Sequence, residues 1–422
     1  MNIANNASGA ASSAEAQAGT NARLRSSRVG IDWILVGTIF GLVLFGLIMV
    51  YSAGPKFAMA LNLTADYFLQ RQLMWAVAGL IVMFIAARFD YHWLRRLSVL
   101  MMIGTLGLLA AVAVIGDTTL GANRSILTGS IRPSELAKLV TIIYVSVWLY
   151  SKREVLNDIT LGLVPLMAIL GITGGLILIQ PDLSAAITVI LLGGILFFLA
   201  AGEWRQIALV VVVSLLFGWL VVNIYPTGIK RITDYLAGLR DPLNASYHVQ
   251  QSLISVINGG LFGVGIGHGS TKFTGLPVAP TDSIFAVIAE ELGLLGAAFV
   301  ILAYIVILWR GLMIAAKASD QLGTLLASGI TIWIVVEAML NMAVMVNLLP
   351  HAGNGLPFIS YGGTSMLVTL AGVGILLNVA RLSDKKRSNG GSSFGTVVDL
   401  RWRDRGRRVS RTGHSANTWQ SR

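Results

Sequence analysis

Long apolar runs alternate with short polar connectors along most of this chain. Ten of the runs are long enough, at about 20 residues, to carry a helix across the hydrocarbon core of a bilayer. They cover roughly 32–53, 72–88, 96–115, 134–151, 160–180, 183–202, 205–225, 283–309, 321–347 and 358–380. The pattern predicts an all-α polytopic membrane protein of ten transmembrane helices. A large extracytoplasmic loop, 226–282, separates helices 7 and 8. Within that loop, residues 247–257 suit a helix lying in the membrane interface. The clusters 171–175 and 193–194 place small residues where helices pack closely.

Composition agrees. Of 422 residues 55% are hydrophobic and 12% charged, with a mean hydropathy of +0.74, against roughly 25% charged in soluble domains. The net charge of +11 does not point to nucleic acid, because the basic residues sit in tails and short loops. Arg88, Arg95 and Arg96, then Lys152 and Arg153, Arg205, Arg310 and Lys317 all fall in loops on one side. The positive-inside rule makes that side cytoplasmic and gives both termini to it. Residues 1–29 read as a disordered tail rather than a signal peptide. Residues 383–422 form a basic tail, suited equally to anionic lipid heads or to a solvated leash. The membrane domain spans 30–382. There are no cysteines, so thiolate chemistry is excluded.

The chemistry concentrates on the opposite, outer face. Asp282 ends the long loop, where an ionisable group is costly and marks a functional position. Arg124, in Gly121-Ala122-Asn123-Arg124, suits bidentate phosphate binding. Pro133 and Ser134 read as a helix start with Glu135 in its first turn, and Glu135 can pair with Lys138 three residues on. A structural ion pair explains the last two equally well. Asp182, in Gln180-Pro181-Asp182-Leu183, reads first as a helix cap. The run 259–267, Gly-Gly-Leu-Phe-Gly-Val-Gly-Ile-Gly, lacks the preceding strand of a dinucleotide fold. A turn permitting close backbone approach is the nearer reading, a phosphate nest the remoter one. Lys272 stands near it. Ser360 and Tyr361, at the start of the last span, suit either a polar cavity or interhelical bonding. Glu290, Glu291, Glu337 and Asn341 lie deeper, as a proton or substrate path or as structural networks.

Taken together these motifs resemble the SEDS family of bacterial membrane glycosyltransferases, which includes FtsW, RodA and SpoVE. The resemblance covers 30–382 and rests on GANR (121–124), PSELAK (133–138), QPDL (180–183), the glycine run, the TD pair at 281–282, EELG (290–293) and LPFISYGG (356–363), in that order. The chain departs from the family at Ser125, Arg132 and Pro280-Thr281-Asp282-Ser283. The spacing from Gly267 to Leu276 leans to the FtsW-like division branch.

The resemblance implies polymerisation of lipid II, an undecaprenyl-pyrophosphate-linked disaccharide peptide, into β-1,4 glycan strands at the outer face of the cytoplasmic membrane. It implies a class B penicillin-binding protein transpeptidase as partner, and no organic cofactor. Asp282 is then the expected general base, its carboxyl raised by partial desolvation from an ordinary value of about 4. Arg124 and Lys138 are expected to meet the leaving pyrophosphate, with Glu135 holding Lys138. Lys272, Ser360 and Tyr361 are further substrate-binding candidates. A Mg or Mn ion, held by Asp282 or Glu135, is a possible aid. The alternatives are a lipid II flippase and a non-catalytic scaffold for the transpeptidase. A transporter needs groups near the midplane reachable from both faces, and here the motifs gather at one face.

Overall fold

The computed structural model describes residues 32–115, 132–154, 158–200 and 226–390, with isolated positions at 156 and between 205 and 223. Among the described residues the secondary structure is helical, without strands. The principal helices are α1 (Trp33–Ala60), α2 (Tyr67–Arg88), α3 (Leu94–Ile115), α4 (Pro133–Ser151), α5 (Val164–Ile179) and α6 (Leu183–Leu199). They continue as α7 (Pro226–Arg240), α8 (Tyr247–Gly259), α9 (Thr271–Thr274), α10 (Ile284–Ala316), α11 (Gln321–Met345) and α12 (Gly363–Gly390).

Nine of the ten expected spans coincide with a helix in this set. The tenth, 205–225, lies mostly outside the described residues. By length and apolarity alone, seven helical segments suffice to cross a membrane. α4 and α6 are not among the seven: α6 is short at 17 residues. α4 carries Glu135 and Lys138 yet buries most of its residues against other helices. A helix surrounded by protein does not need a lipid-compatible surface. By contrast α2 and α3 turn large apolar side chains outward, such as Ile81, Phe84, Leu100 and Ile103, as expected where the solvent is lipid.

Helix starts follow local chemistry. Asp32, Asp182 and Asp320 cap α1, α6 and α11 by accepting from the amides of Leu35, Ala185 and Gly323. Pro133 occupies the first turn of α4, where its missing N–H costs nothing. Ser134, expected at that helix start, spends its hydroxyl elsewhere, on Asp182 Oδ2 at 3.0 Å.

Lipid offers no hydrophobic drive between helices, so close packing must hold the bundle. A Cβ added at Gly193 would lie 2.3 Å from Leu170 Cδ1, which accounts for the small-residue cluster in α6. One at Gly46 of α1 would lie 2.6 Å from the Phe358 carbonyl oxygen.

The glycine run resolves in favour of close backbone approach. α10 is broken at Gly293, whose φ of 67° is non-helical. The run lies in that break: Val264 N donates to Glu290 O at 3.0 Å, Gly265 N to Glu291 O at 2.9 Å, and Leu294 N to Gly260 O at 2.9 Å. Side chains would not fit, since a Cβ at Gly259 would stand 1.9 Å from Ala289 O. The amides of Val264 and Gly265 are therefore committed to the backbone of α10 and do not form a phosphate nest. Irregular backbone inside a membrane bundle is tolerated where protein satisfies it in this way.

The long loop is more ordered than a lone interfacial helix. α8 covers the expected 247–257 and packs against α10 through Val249, Ser252, Ser255 and Gly259. It leaves Ile254 and Ile257 exposed. α7 adds a second amphipathic helix that exposes Ile229, Ile232, Leu236 and Leu239.

Candidate active site

Four chain segments meet at one end of the bundle: the start of α4, the start of α6, the loop before α10, and residues 347–365 between α11 and α12. Bonds knit them together. Arg132 N donates to Thr364 Oγ1 at 3.0 Å, Ser134 binds Asp182, and Tyr361 N donates to Pro280 O at 2.8 Å. They enclose a polar cavity of about 30 Å³ lined by Arg132, Glu135, Lys138, Asp182, Glu337 and the chain at 353–355. That is room for two or so waters.

Asp282 stands at the rim of this cavity, partly buried. A Cβ placed on Gly353, which has none and lines the cavity, would be 3.6 Å from Asp282 Oδ2. The loop bearing Asp282 is tightly held. Asn341 Nδ2 donates to the Asp282 carbonyl at 2.8 Å and to the Asn354 carbonyl at 2.6 Å. Ser360 Oγ donates to the Thr281 carbonyl at 2.6 Å while accepting from Leu356 N at 2.6 Å. Val278, four residues earlier, has a φ of 46°. A β-branched residue adopts that conformation only where its surroundings impose it, at a cost of about 1–3 kcal/mol.

Lys138 is buried and doubly paired. Its Nζ lies 2.9 Å from Glu135 Oε1 and also donates to Glu337, while Trp333 supplies a ring face at 6.0 Å. Glu135 Oε2 and Asn354 Nδ2 at the cavity, and Asn341 Oδ1 beside it, are buried without a hydrogen-bond partner. Buried polar groups are almost always satisfied, so these three atoms are open to a water or a ligand.

The expected site residues thus divide. Asp282, Glu135 and Lys138 come together, and Glu337 and Asn341 join them from α11. Arg124 lies outside the described residues. Lys272 belongs to a different cluster: its Nζ contacts Glu291 Oε1 at 2.5 Å and Ser52 Oγ at 2.8 Å. Glu290 accepts from the amides of Ser270 and Thr271 at 2.9 and 3.1 Å. Both acids of the 290–291 pair therefore anchor the glycine-rich connection. Ser360 and Tyr361 brace the Asp282 loop, and the Tyr361 ring packs edge-on to Phe68 at 4.8 Å. Asp182 is the cap it was expected to be, and it also lines the cavity. Among the described residues no three His, Cys, Asp or Glu side chains converge as a metal's ligand set.

Two histidines were missed in the sequence. His248 of α8 and His351 pack ring against ring at 4.4 Å between centroids. Ser283, next to Asp282, gives its one hydroxyl proton to Pro277 O at 2.7 Å. The 2.5 Å contact with His248 Nε2 therefore has the imidazole as donor, which makes Nε2–H the tautomer. Burial pushes His248 down to about 4. Burial, then the neighbouring His248 and Arg231, push His351 down to about 3. Five histidines scattered without metal spacing gave no signal; only the fold pairs these two.

Residues 32–385 match the FtsW/RodA/SpoVE family, described as cell cycle proteins. The chain is 38% identical over 356 residues to a probable peptidoglycan glycosyltransferase FtsW of Geobacter metallireducens, covering 83% of this chain and 94% of that one. It is 37% identical over 365 residues to the stage V sporulation protein E of Bacillus subtilis, covering 85% and 100%. Among solved structures it resembles a peptidoglycan synthase complex described for its coordination of polymerisation and crosslinking. There the TM-score is 0.68, the identity 26%, and the coverage 84% of this chain and 99% of the other. It also resembles the rod shape determining protein RodA of Thermus thermophilus, with TM-score 0.62, 25% identity and coverage of 84% and 98%.

Proposed function

This chain is a member of the FtsW/RodA/SpoVE family, and on that premise we propose that it is a peptidoglycan glycosyltransferase with Asp282 as its general base. It is a multi-pass protein of the cytoplasmic membrane with both termini in the cytoplasm and the Asp282 end of the bundle outside. The substrate is lipid II, and the partner is a class B penicillin-binding protein that crosslinks the product.

The chemistry is one inverting displacement. The acceptor's 4-hydroxyl oxygen forms a bond to the donor's anomeric carbon, and its proton passes to Asp282. The bond from that carbon to the lipid diphosphate breaks, and the diphosphate leaves with the electron pair. A base must lie within hydrogen-bond reach of the proton it takes. The carbonyl clamps from Asn341 and Ser360 on either side of Asp282 suit that demand, because they fix the backbone from which the carboxylate projects. Lys138, held between Glu135 and Glu337, presents its charge from a fixed position to the sugar side of the cavity.

The observation that carries this reading is the set of unpartnered buried atoms beside Asp282. Glu135 Oε2, Asn354 Nδ2 and Asn341 Oδ1 offer acceptors and a donor, the complement of a sugar's hydroxyl and amide groups. At about 30 Å³ the cavity must widen to admit them. No step is routed through a divalent cation, and the dependence on Mg or Mn is put to test directly. Purified full-length protein is incubated with lipid II, with and without the partner transpeptidase and with each cation or a chelator. Glycan strands on a gel are the expected result in at least one arm. Their absence from every arm, with the protein folded, overturns the reading.

A further inference from the structure

The loop that carries Asp282 is tied from two sides. Asn341, Ser360 and Tyr361 hold it from α11 and from the connection to α12. A tie from α8 reaches it through Ser283. This serine directly precedes α10, a position from which a serine hydroxyl ordinarily accepts an amide of the first turn. Here the hydroxyl makes no such bond. Its proton goes instead to Pro277 O at 2.7 Å, which closes residues 277–283 on themselves. Its oxygen accepts from His248 Nε2 at 2.5 Å. Asp282 lies inside the closed segment, and so does Val278 with its imposed φ of 46°. Ser283 also belongs to the 280–283 segment, where this chain departs from its family.

Resting on Asp282 as the base, we infer that His248 is a positioning residue for it: the Nε2–H to Oγ bond with Ser283 sets the 277–283 loop, and through the loop the carboxylate. Ser283 is fully buried and His248 half-buried, so water competes poorly for this bond. The imidazole face packs on His351 at 4.4 Å between centroids, which limits its rotation. His351 belongs to the same connection as Gly353 and Asn354, which line the cavity in front of Asp282. One ring therefore holds the loop of the base and rests on the segment that forms the cavity wall. The donor is also neutral at neutral pH, because burial pushes His248 down to about 4. A cation beside a carboxylate favours its ionised form and weakens it as a base. A neutral donor fixes the geometry without that penalty.

The test separates the hydrogen bond from the ring. His248→Gln keeps an N–H donor at about the reach of Nε2 and loses the stacked ring. His248→Phe keeps a ring and loses the donor. Purified full-length variants are compared with wild type for steady-state polymerisation of lipid II, melting temperature and hydrogen exchange of the 277–283 segment. His248→Phe is expected to lose about tenfold or more in kcat with KM little changed, because a small misplacement of a reacting group is costly. Its 277–283 segment is expected to exchange faster than in wild type. His248→Gln is expected to keep kcat within about threefold of wild type and the exchange of the segment unchanged, even where it melts lower, since the donor survives. In a Ser283→Ala background, which lacks the acceptor, His248→Phe is expected to cost nothing further in kcat. His248→Leu, which also lacks the donor, stands in where the Phe variant does not fold. A Gln variant as slow as the Phe variant, or additive losses from Ser283→Ala and His248→Phe, overturns the inference. If the segment loosens in the Phe variant and not in the Gln variant while wild type never polymerises lipid II, the enzymatic reading fails and the tie stands. If wild type polymerises lipid II and the folded Phe variant keeps its kcat, the positioning role fails and the enzymatic reading stands.

Discussion

The side-chain amide of Asn341 donates to the backbone carbonyl of Asp282 at 2.8 Å, across 59 residues of chain. It gives its second proton to the Asn354 carbonyl at 2.6 Å. One residue of α11 thus fixes both the loop carrying the base and the loop lining the cavity in front of it.

Asn341→Ala is therefore expected to lower kcat more than it raises KM. Misplacing a reacting group by about 1 Å can cost about a hundredfold in rate. The two carbonyls left unpaired cost about 1–3 kcal/mol each where they stay buried. Steady-state kinetics alongside thermal melting separate the effects, and a variant with normal kcat but a lowered melting temperature would reduce Asn341 to a structural bond.

Lys138→Ala leaves Glu135 and Glu337 facing each other in a buried setting. Breaking a buried pair from one side costs about 3–5 kcal/mol. Adding Glu337→Gln to Lys138→Ala is expected to recover much of the melting temperature and none of the polymerisation. Equal recovery of both contradicts a role for Lys138 at the cavity.

The glycine run offers a graded test. Gly259→Ala drives a methyl to 1.9 Å from the Ala289 carbonyl and Gly263→Ala one to 2.2 Å from the Glu291 carbonyl. Both variants are expected to fold poorly. At Gly267 no atom lies within 4 Å of the added carbon, and only its φ of 87° opposes substitution. Gly267→Ala is expected to cost on the order of 1 kcal/mol. Melting temperatures in one detergent check the order, and a Gly267 variant as damaged as the Gly259 variant contradicts it.

Acid is expected to destabilise the fold through His248 and His351. In the unfolded chain an imidazole takes its proton near 6.5, whereas in the fold burial holds them down to about 4 and about 3. The unfolded state binds more protons across that window, so stability is full above about 6.5 and falls as the pH drops through it. His351→Asn is expected to flatten the fall of melting temperature between pH 6.5 and 4.5. An unchanged slope contradicts the buried, neutral pair.

Much of this was legible in the sequence because the strongest signals there are local. Apolar runs marked nine of the helices, and Pro133 and Asp182 sit at helix starts where short-range chemistry puts them. Glu135 and Lys138 line one cavity and Asp282 stands at its rim. What escaped depends on contacts between distant segments. Nothing local pairs His248 with His351, across 103 positions, or Lys138 with Glu337, across 199. Lys272 looked available because Glu291 and Ser52, its partners, lie 19 and 220 residues away. The glycine run was ambiguous for the same reason: only the break at Gly293 shows what its amides bond to.

The central claim is that the Asp282 carboxylate takes the acceptor's proton. Its most direct test is the rate of glycan polymerisation from lipid II by purified Asp282→Asn, at wild-type folding and wild-type affinity for lipid II. Loss of a positioned base costs roughly 10²–10⁴-fold, and a fall of that size is the predicted result. An Asn variant that polymerises at close to the wild-type rate contradicts the claim.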